Sequence, residues 1–543
     1  MSFCDPLRTF VPVVRETLKT EVKEEEIALA NFPNLRDQLD AWKARLAETG
    51  WTPWLILGLA IFLRFFLLGI KPPHFDEGIN GWFVDQVVKT GFYKYDPTNY
   101  HGPLHFYVVL LSQTLFGRNL WALRLPVVIV SISCVWLTLK FEPLVGRKIS
   151  RLAALAMAIS PGFVFYGRYS IHEVWLVLFG MMFILGLLGL WKFGTVNYLW
   201  CTGMGVAGMI LTKETYIIHL GCAALAFPVL AISNSLNRVP DWKRARQTWS
   251  YVDLAMVICV AIAAIVFFYS GTFFHWSGVK GLYQAYTAWF ATGKEGHGHE
   301  KDWYYWVWKL MLRYEWPALA GLVLCLFCQS FKNLSLRYLA IYGVGTLVAY
   351  SIVHYKTPWC IINIIWPFLF VFAGALINVP SKHQLFANAA IAALLLHSLG
   401  STIWVNYFRC TTDTEPYVYV QTYNGIFKFT DPLLKMAKRD PANYHLIGSI
   451  IRASSYPLPW ILGDFSRVGY YEHGNLPQKV DGDFLLVEEE RIAEVEGKLQ
   501  DSYYTDTLKI RAYQDSSKAY FRASVFKDLF PNRTPEFKGK KSG

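Results

Sequence analysis

Long apolar runs recur along most of this chain, and they restrict the folds that it can adopt. Hydrophobic residues make up 54% of its 543 residues and charged residues only 17%, and the mean hydropathy is +0.27. This composition predicts an all-α polytopic membrane protein. The formal charge of +12 is typical of inner loops near anionic lipid headgroups, so we expect no binding to nucleic acid.

The basic residues set the expected orientation. Residues 1–50 are polar, lack the apolar run of a cleavable signal peptide, and carry Arg36, Lys43 and Arg45 before the first apolar run. Because inner segments favour lysine and arginine, we expect this amphipathic segment in the cytoplasm and the first helix running outward. The run at 104–116 is shorter than the roughly twenty residues of a crossing. It predicts a helix on the outer surface.

Residues 51–405 are then expected to form about eleven transmembrane helices, with external loops at 71–120 and 271–315. The predicted crossings are 54–70, 123–139, 152–166, 173–191, 196–211, 215–232, 251–270, 316–331, 338–354, 359–378 and 385–405. With these crossings, the cytoplasmic side holds a basic cluster, as inner loops favour: Lys140, Arg147, Lys148 and Arg151. It also places residues 406–543 outside.

Residues 406–543 are polar enough to form a small soluble α/β domain. Strand-like runs alternate there with helix-like ones. The predicted strands are 417–422, 484–487, 508–513 and 520–525, and the predicted helices are 432–438 and 491–499.

Two adjacent acids, Asp76 and Glu77, follow the first apolar run in the stretch His74-Phe75-Asp76-Glu77. Acids placed where a chain leaves the bilayer cost free energy and need a reason. The chemical reason is a general base at the membrane surface, within reach of a lipid-linked substrate. The structural alternative is that Asp76 caps the helix that follows.

The other unusual polar and aromatic motifs fall on the same expected face. Catalytic groups from distant helices must share one cavity, so this convergence predicts an active site on the outer side. The motifs are His74–Glu77, Tyr100–Pro103, Tyr166–Tyr169 with His172-Glu173, Thr212–Thr215, the stretch from His297, and Tyr355–Trp359.

Read in order, these motifs resemble the GT-C glycosyltransferases that use polyprenyl-phosphate sugars. HFDE is similar to the protein O-mannosyltransferase motif. The order HFDEGINGW, YDPTNYHGPLHFY, SPGFVFYGRYSIHE, TKET, DWYYW and YKTPW resembles most closely the mannosyltransferase-related membrane proteins described as flippase-activity-associated. The resemblance covers roughly residues 54–405. A weaker similarity follows in the stretch YPLPW at 456–460.

The resemblance implies a GT-C fold with external juxtamembrane helices, and inverting transfer of a sugar to an acceptor hydroxyl on the periplasmic or lumenal face of the inner or plasma membrane. It assigns Asp76 as general base, with Glu77 as an orienting group. Glu173 would help to bind acceptor or metal. The alternative for Glu173 is a charge that snorkels at the start of a helix.

The departing lipid phosphate requires cations. Candidates are Lys213, Arg168 with its bidentate geometry, Lys356, and His101, which stands where the aminoarabinose transferase has a lysine. Interfacial anchoring would explain the basic residues equally well. Four aromatic residues would stack on substrate, although membrane interface belts look the same: Trp303, Tyr304, Tyr305 and Trp359.

The sequence leaves the cofactor open. Oxygen ligands suit Mg²⁺ or Mn²⁺, and Asp76, Glu173 and His299 are candidate ligands together with the donor phosphate. Zinc is disfavoured because the pair His297 and His299 lacks a clear third ligand.

Two other function classes are weighed beside the enzyme. A lipid-linked sugar flippase or flippase accessory protein would place polar groups at mid-membrane, usually within an inverted repeat, and no repeat is visible. His219 and His397 within predicted crossings keep this alternative open. The third class is an inactive scaffold whose outer domain binds envelope partners, which the intact acids argue against. The expected partners are a polyprenyl-phosphate sugar, membrane lipids and an unidentified glycan, lipid or protein acceptor.

Overall fold

The membrane part of the protein is built from long apolar helices. The structure, a computed structural model, describes residues 50–236, 246–295, 298–472 and 474–540, so nearly all of the predicted cytoplasmic segment 1–50 lies outside the described residues. Within them, six segments are long and apolar enough to cross a bilayer, which confirms an integral membrane protein. They are Leu120–Val145, Glu173–Phe193, Tyr216–Ser235, Tyr251–Tyr269, Pro358–Ile377 and Ser381–Phe408.

The chain divides into two compact units, residues 1–58 and 59–543. The α-helices that precede the C-terminal domain are α1 Thr52–Phe65, α2 Phe75–Thr90, α3 Leu104–Phe116, α4 Leu120–Lys140, α5 Glu142–Val145, α6 Arg147–Ala158, α7 Pro161–Tyr166, α8 Glu173–Phe193, α9 Val196–Ile210, α10 Tyr216–Leu236, α11 Tyr251–Tyr269, α12 Ser277–Glu295, α13 Leu312–Tyr314, α14 Trp316–Leu324, α15 Leu334–Ile352, α16 Ile361–Ile377 and α17 Gln384–Ile403. Turns of π-helix at Trp306–Met311 and Trp404–Phe408, and of 3₁₀-helix at Cys325–Ser330, Pro358–Cys360 and Ser381–His383, extend several of them.

The predicted crossing at 152–166 is not one helix. It consists of the end of α6 and the short α7, separated by Ile159 and Ser160. Pro161 lacks an N–H to continue α6 but suits the first turn of α7, where the Ser160 hydroxyl accepts from the Phe163 amide at 3.4 Å. The predicted surface helix at 104–116 agrees with α3 at both ends.

Helix α16 forms the centre of the membrane part. It packs against α14, α15, α6 and α8, and every residue from Ile361 to Gly374 is buried. A helix that is apolar on all sides belongs in the interior of a helical assembly. The YKTPW motif ends at the start of α16, so the central helix fixes the position of the loop that carries this motif.

The C-terminal region contains a small sheet with helices, in agreement with the predicted α/β composition. Its elements are α18 Phe427–Arg439, β1 Ile447–Ile451, α19 Leu458–Ile461, β2 Arg467–Tyr471, β3 Phe484–Glu488, α20 Ile492–Glu496, β4 Tyr503–Leu508, β5 Ser517–Arg522 and α21 Ala523–Phe526, with short 3₁₀ turns at Asn424–Ile426, Pro441–His445 and Glu489–Arg491. The sheet order is β2-β1-β3-β5-β4. β1 runs parallel to β2 and β3, whereas β5 pairs antiparallel with β3 and β4.

Both faces of this sheet are covered. In β3, Leu486 packs into the core beneath α18, whereas its neighbour Leu485 packs into the core beneath α20. Successive side chains of a strand point to opposite faces, so a strand buried on both faces is apolar without alternation. The run at 484–487 was recognisable as a strand for this reason.

The predicted strand at 417–422 is wrong, because those residues form an irregular segment. Its aromatic alternation serves packing against the membrane part. The Tyr417 hydroxyl donates to Glu315 at 2.8 Å, and the Gln421 side chain donates to the Pro72 carbonyl at 3.2 Å. The predicted strand at 508–513 is also displaced, since β4 ends at Leu508 and a turn follows.

The C-terminal domain docks on α2 through two glycines. A Cβ added at Gly78 would lie 2.6 Å from Pro457, and one at Gly81 would lie 2.4 Å from the indole ring of Trp460. Trp460 is only 4% exposed, so the YPLPW stretch packs as a ridge against the glycine face of α2. Arg118 reinforces this contact, because it pairs both with Asp85 of α2 at 2.8 Å and with Asp464 of the C-terminal domain at 3.2 Å.

Replacing Gly81 by alanine should loosen this contact. The added methyl group has no room beside the Trp460 ring, and overpacking of this kind costs about 1–3 kcal/mol. We expect the melting temperature of the detergent-solubilised protein to fall by several degrees. Gly400→Ala in α17 is the matched control, because nothing lies within 4 Å of its Cβ position. Equal melting temperatures for the two variants would contradict this packing.

Candidate active site

Six of the predicted site residues meet at one cavity of about 520 Å³. They come from the start of α2, the loop before α3, the start of α8, the loop between α9 and α10, the segment before the first π-helical turn, and the loop before α16. They are Asp76, His101, Glu173, Lys213, His299 and Trp359. The remaining predicted residues lie elsewhere.

Asp76 is the second residue of α2, but it does not cap the helix. The N-cap is His74, whose Nδ1 accepts from the Asp76 backbone N–H at 3.1 Å, and Glu77 completes the cap by accepting from the His74 N–H at 2.9 Å. The Asp76 side chain is 30% exposed. It lines the cavity and accepts no hydrogen bond from the described part of the chain, so its oxygen atoms are available to a ligand.

His74 fixes the loop that presents Asp76. Its Nδ1 accepts a backbone N–H, so Nε2 carries the proton and donates to the Tyr419 carbonyl at 2.8 Å. Burial lowers the pKa of His74 despite the raising effect of Asp76. The ring is therefore neutral at physiological pH and does not itself balance the charge of Asp76. The start of α2 favours that negative charge through the helix dipole.

Glu77 points away from the cavity and forms a fully buried ion pair with Arg124 of α4. Its two carboxylate oxygens accept from the guanidinium at 2.8 and 2.7 Å, and both side chains have 0% exposure. Burial would raise the pKa of Glu77, but Arg124 and the backbone N–H groups of His74 and Ser170 hold it below its usual value. Glu77 thus stays ionised and organises the loops around the site.

Lys213 and Glu173 form a second buried ion pair, and both line the cavity. Burial alone would lower the pKa of Lys213, but Glu173 and Glu214 raise it well above its usual value. Lys213 therefore keeps its positive charge in a site with little water. Among the described residues that line the cavity, it is the one lysine or arginine.

His101 pairs with Glu214, whose carboxylate lies 2.9 Å from its Nδ1. Gly102 makes this possible, because a Cβ there would lie 2.2 Å from the Leu211 carbonyl. The backbones of the YHGP and TKET motifs therefore run against each other, and the Gly102 N–H donates to the Thr212 carbonyl at 3.1 Å. Burial raises the pKa of Glu214, but His101 and Lys213 outweigh this effect and lower it.

His172 completes the wall between these pairs. Its ring centre lies 4.7 Å from that of His101 and 4.5 Å from that of His105. Burial and the two neighbouring histidines lower the pKa of His172 far below its usual value. It is therefore neutral and contributes hydrogen-bonding capacity without charge.

Several predicted residues do not line this cavity. The Arg168 side chain is buried, donates to the Leu67 carbonyl at 2.6 Å, and lies over the Tyr407 ring. Lys356 donates to the carbonyls of Lys301 and Val353. Lys356 lines a neighbouring cavity of about 690 Å³, together with three of the predicted stacking residues: Trp303, Tyr304 and Tyr305.

Sequence reasoning missed three residues of the cavity wall: Glu214, His172 and Tyr355. Each lies in one of the motifs identified in the sequence. The motifs therefore located the cavity wall even where these residues were not selected as candidate site residues. Glu214 adjoins Lys213 in TKET, and an acid beside a candidate phosphate ligand was a usable signal.

The predicted metal ligands do not form a ready-made cation site. In the described ranges, no three histidine, cysteine or acidic side chains are close enough to hold a metal ion. Glu173 is paired with Lys213, and the His299 Nδ1 lies 2.5 Å from the Tyr419 hydroxyl. Of the two predicted carboxylate ligands, Glu173 is therefore engaged with a protein cation, whereas Asp76 is not so engaged within the described residues.

Residues 100–269 match a family model described as dolichyl-phosphate-mannose-protein mannosyltransferase. This stretch holds the YHGP, HE and TKET residues of the cavity, whereas Asp76 lies before it. No curated protein has a significantly similar sequence.

Several solved structures have a similar fold, including two from different organisms. The chain is 14% identical to ArnT from Cupriavidus metallidurans bound to undecaprenyl phosphate, with 87% of this chain and 98% of that chain covered and a TM-score of 0.56. It is 12% identical to the Archaeoglobus fulgidus oligosaccharyltransferase tethered with an acceptor peptide, with 87% and 75% covered and a TM-score of 0.53. The family match and the shared fold confirm the predicted resemblance to the GT-C glycosyltransferases.

The two neighbouring acids should behave differently when they are neutralised. Glu77→Gln leaves the buried Arg124 charge unpaired, which we expect to cost about 3 kcal/mol and lower the melting temperature strongly. Asp76→Asn removes no contact that holds the fold and should melt like the wild type. Thermal unfolding in detergent measures both.

The pH dependence of the stability against unfolding follows from Glu77, because folding lowers the pKa of its carboxyl group. Its stabilising effect is fully present above the unfolded pKa of a glutamate and is lost as the pH falls through the folded value. The wild type should therefore lose stability below about pH 4, and Glu77→Gln should lose less. A Glu77→Gln protein with wild-type melting across this range would contradict the assignment.

Proposed function

We propose that the protein is a membrane glycosyltransferase of the GT-C type, which moves a sugar from a polyprenyl-phosphate donor to an acceptor hydroxyl, with Asp76 as general base. The observation that carries this proposal is the Asp76 carboxylate itself, which is 30% exposed, accepts no hydrogen bond from the described part of the chain, and shares a cavity with Lys213 and His101. A base and a phosphate-binding cation in one cavity are what such a transfer requires.

The donor class is supported by the relatives. The matching family is described as acting with dolichyl-phosphate-mannose, and the ArnT structure holds undecaprenyl phosphate. Both lipids are polyprenyl phosphates. The cavity lies among loops that adjoin the ends of several apolar helices, where the prenyl chain of such a donor would lie in the bilayer while its headgroup reaches Lys213.

The reaction is a single displacement. Asp76 takes the proton of the acceptor hydroxyl as the oxygen forms a bond to the anomeric carbon of the sugar. The bond from that carbon to the phosphate oxygen breaks, and its electron pair stays on the polyprenyl phosphate. Attack on the face opposite the leaving group inverts the anomeric configuration. No general acid is needed, because a phosphate leaves readily.

Lys213 binds the leaving phosphate in this mechanism. Its charge is balanced by Glu173 before the donor binds, so the buried lysine is never without a counter-ion. The donor phosphate would take over part of that pairing. His101, held by Glu214, supplies a second hydrogen bond to the phosphate.

The proposed topology has eleven crossings, an inner N-terminus and an outer active site. Five further helical segments would join the six long ones: α1, the broken pair α6 and α7, α9, α14 with its 3₁₀ extension, and α15. An odd number of crossings puts residues 406–543 outside with the cavity. The docking of this domain on α2 supports the same side for both.

Asp76→Asn tests the assignment of the base. We expect the rate of sugar transfer from dolichyl-phosphate-mannose to fall by a factor of about 10²–10⁴, the usual contribution of a general base. Binding of the donor lipid should be unchanged, because Lys213 and His101 remain. Transfer is measured with radiolabelled donor in detergent or proteoliposomes, and the anomeric configuration of the product by NMR.

Asp431→Asn is the matched control, since it removes an exposed carboxylate of α18 far along the chain from the motifs. It should keep the wild-type rate. Normal sugar transfer by Asp76→Asn would refute the proposed base. Loss of lipid translocation across vesicles, in a protein that never transfers sugar, would favour a lipid-linked sugar flippase.

A further inference from the structure

A second cavity adjoins the candidate active site. It has a volume of about 690 Å³, and it shares the wall residues Ile352, His354 and Val420 with the first cavity. Three segments build it: residues 300–309, 351–356 and 413–423, with Tyr513 of the C-terminal domain at its edge. The mechanism described above leaves this cavity unused.

Exposed aromatic side chains line the second cavity. Trp303 is 74% exposed, Tyr304 41% and Tyr513 91%. An interface belt would explain the first two, since tryptophan and tyrosine collect at membrane surfaces. It would not explain Tyr513, which comes from the turn between β4 and β5 of the C-terminal domain. These rings come from distant parts of the chain and line one cavity, so a single ligand in it can contact all of them.

The polar groups of the wall carry both signs of charge. Lys301, Lys309 and Lys356 accompany the acids Glu300, Asp302, Asp413 and Glu415. Two of these acids stabilise the protein around the cavity. Glu415 pairs with Arg313 at 2.9 Å, and Asp413 accepts from the Tyr423 hydroxyl at 2.8 Å. A wall of mixed donors and acceptors suits an uncharged ligand rich in hydroxyl groups better than an ion of one sign.

The wall of the second cavity is bonded directly to the loop that carries Asp76. Tyr419 lines the second cavity, and its carbonyl accepts from His74, the N-cap of α2, at 2.8 Å. The next residue, Val420, lines both cavities and has a positive φ of 47°, a backbone conformation that is rare for a β-branched residue. This contact fixes the second cavity relative to the catalytic carboxylate.

We infer that the second cavity is the acceptor site and that the acceptor is a saccharide, an inference that rests on the proposed glycosyltransferase function. The aromatic faces carry the negative side of the ring quadrupole and contact the C–H faces of sugar rings, while the charged groups bind hydroxyls. The terminal sugar extends past Val420, so that one hydroxyl reaches Asp76. The rest of the chain lies between the loop 300–309 and Tyr513.

Binding of saccharides to the full-length protein tests this inference without any need for turnover. The probes are α-1,2-mannobiose, maltose, lactose and N,N′-diacetylchitobiose, and an acetylated peptide that contains serine and threonine serves as the competing class. Saturation-transfer NMR in detergent measures binding to the wild type, to the double variant Trp303→Ala/Tyr513→Ala, and to the control Trp308→Ala. Trp308 is 64% exposed and is not part of the cavity wall.

At least one disaccharide should bind the wild type and Trp308→Ala equally, and the double variant should bind it about tenfold more weakly. All three substituted residues are exposed, so folding should not be affected. Absence of binding by every disaccharide would overturn the inference, as would equal binding by the double variant. Peptide binding that depends on Trp303 and Tyr513, without saccharide binding, would make the cavity a peptide site.

Donor turnover separates this outcome from failure of the proposed function. Release of mannose from dolichyl-phosphate-mannose to water depends on Asp76 and not on the second cavity. If this release is retained while no saccharide binds, the acceptor assignment alone is wrong. If saccharide binds and no donor is ever turned over, the glycosyltransferase proposal is wrong.

Discussion

The buried ion pair between Glu77 and Arg124 holds together the segments around the candidate active site. Glu77 also accepts from the backbone of His74 and Ser170, while Arg124 donates to the carbonyls of Leu68, Lys71 and Pro72. One pair of side chains thereby ties the end of the first helix, the start of α2, α4, and the loop before α8. Removing either charge would leave the other buried without a partner, which is far more costly than losing a surface ion pair.

This arrangement explains why two acids stand side by side. Both carboxylate oxygens of Glu77 accept hydrogen bonds within the fold, and its side chain is fully buried. Asp76, one residue earlier, is freed from capping by His74 and turns its carboxylate to the cavity. Within the cavity wall, the pairs Lys213 with Glu173 and His101 with Glu214 keep the buried charges balanced until a ligand exchanges with them. A phosphate headgroup is the ligand that such a lysine can accept at little electrostatic cost.

The sequence predicted the class, the membrane part and much of the cavity, because apolar runs and clustered polar motifs are strong local signals. It grouped Asp76, His101, Glu173 and Lys213 correctly on one cavity. It distinguished Asp76 as base from Glu77 as a supporting group, but it did not find the partner of Glu77, because Arg124 lies inside an apolar helix and carries no motif. It mistook 417–422 for a strand, because a buried irregular segment and a strand share the same aromatic alternation. The sequence singled out Trp303 and Tyr304 as candidate stacking residues. It gave no signal for Tyr513, which lies at the same cavity only in the folded structure.

The central claim is that Asp76, Lys213 and His101 form one site for a lipid-linked sugar phosphate. A cryo-EM map of the full-length protein in lipid nanodiscs with added dolichyl phosphate tests it most directly. Phosphate density is expected in the cavity beside Asp76, within hydrogen-bonding distance of Lys213 or His101, with the prenyl chain running into the bilayer. Phosphate density at Arg168, at Lys356 or elsewhere, with the Asp76 cavity empty, would contradict the claim.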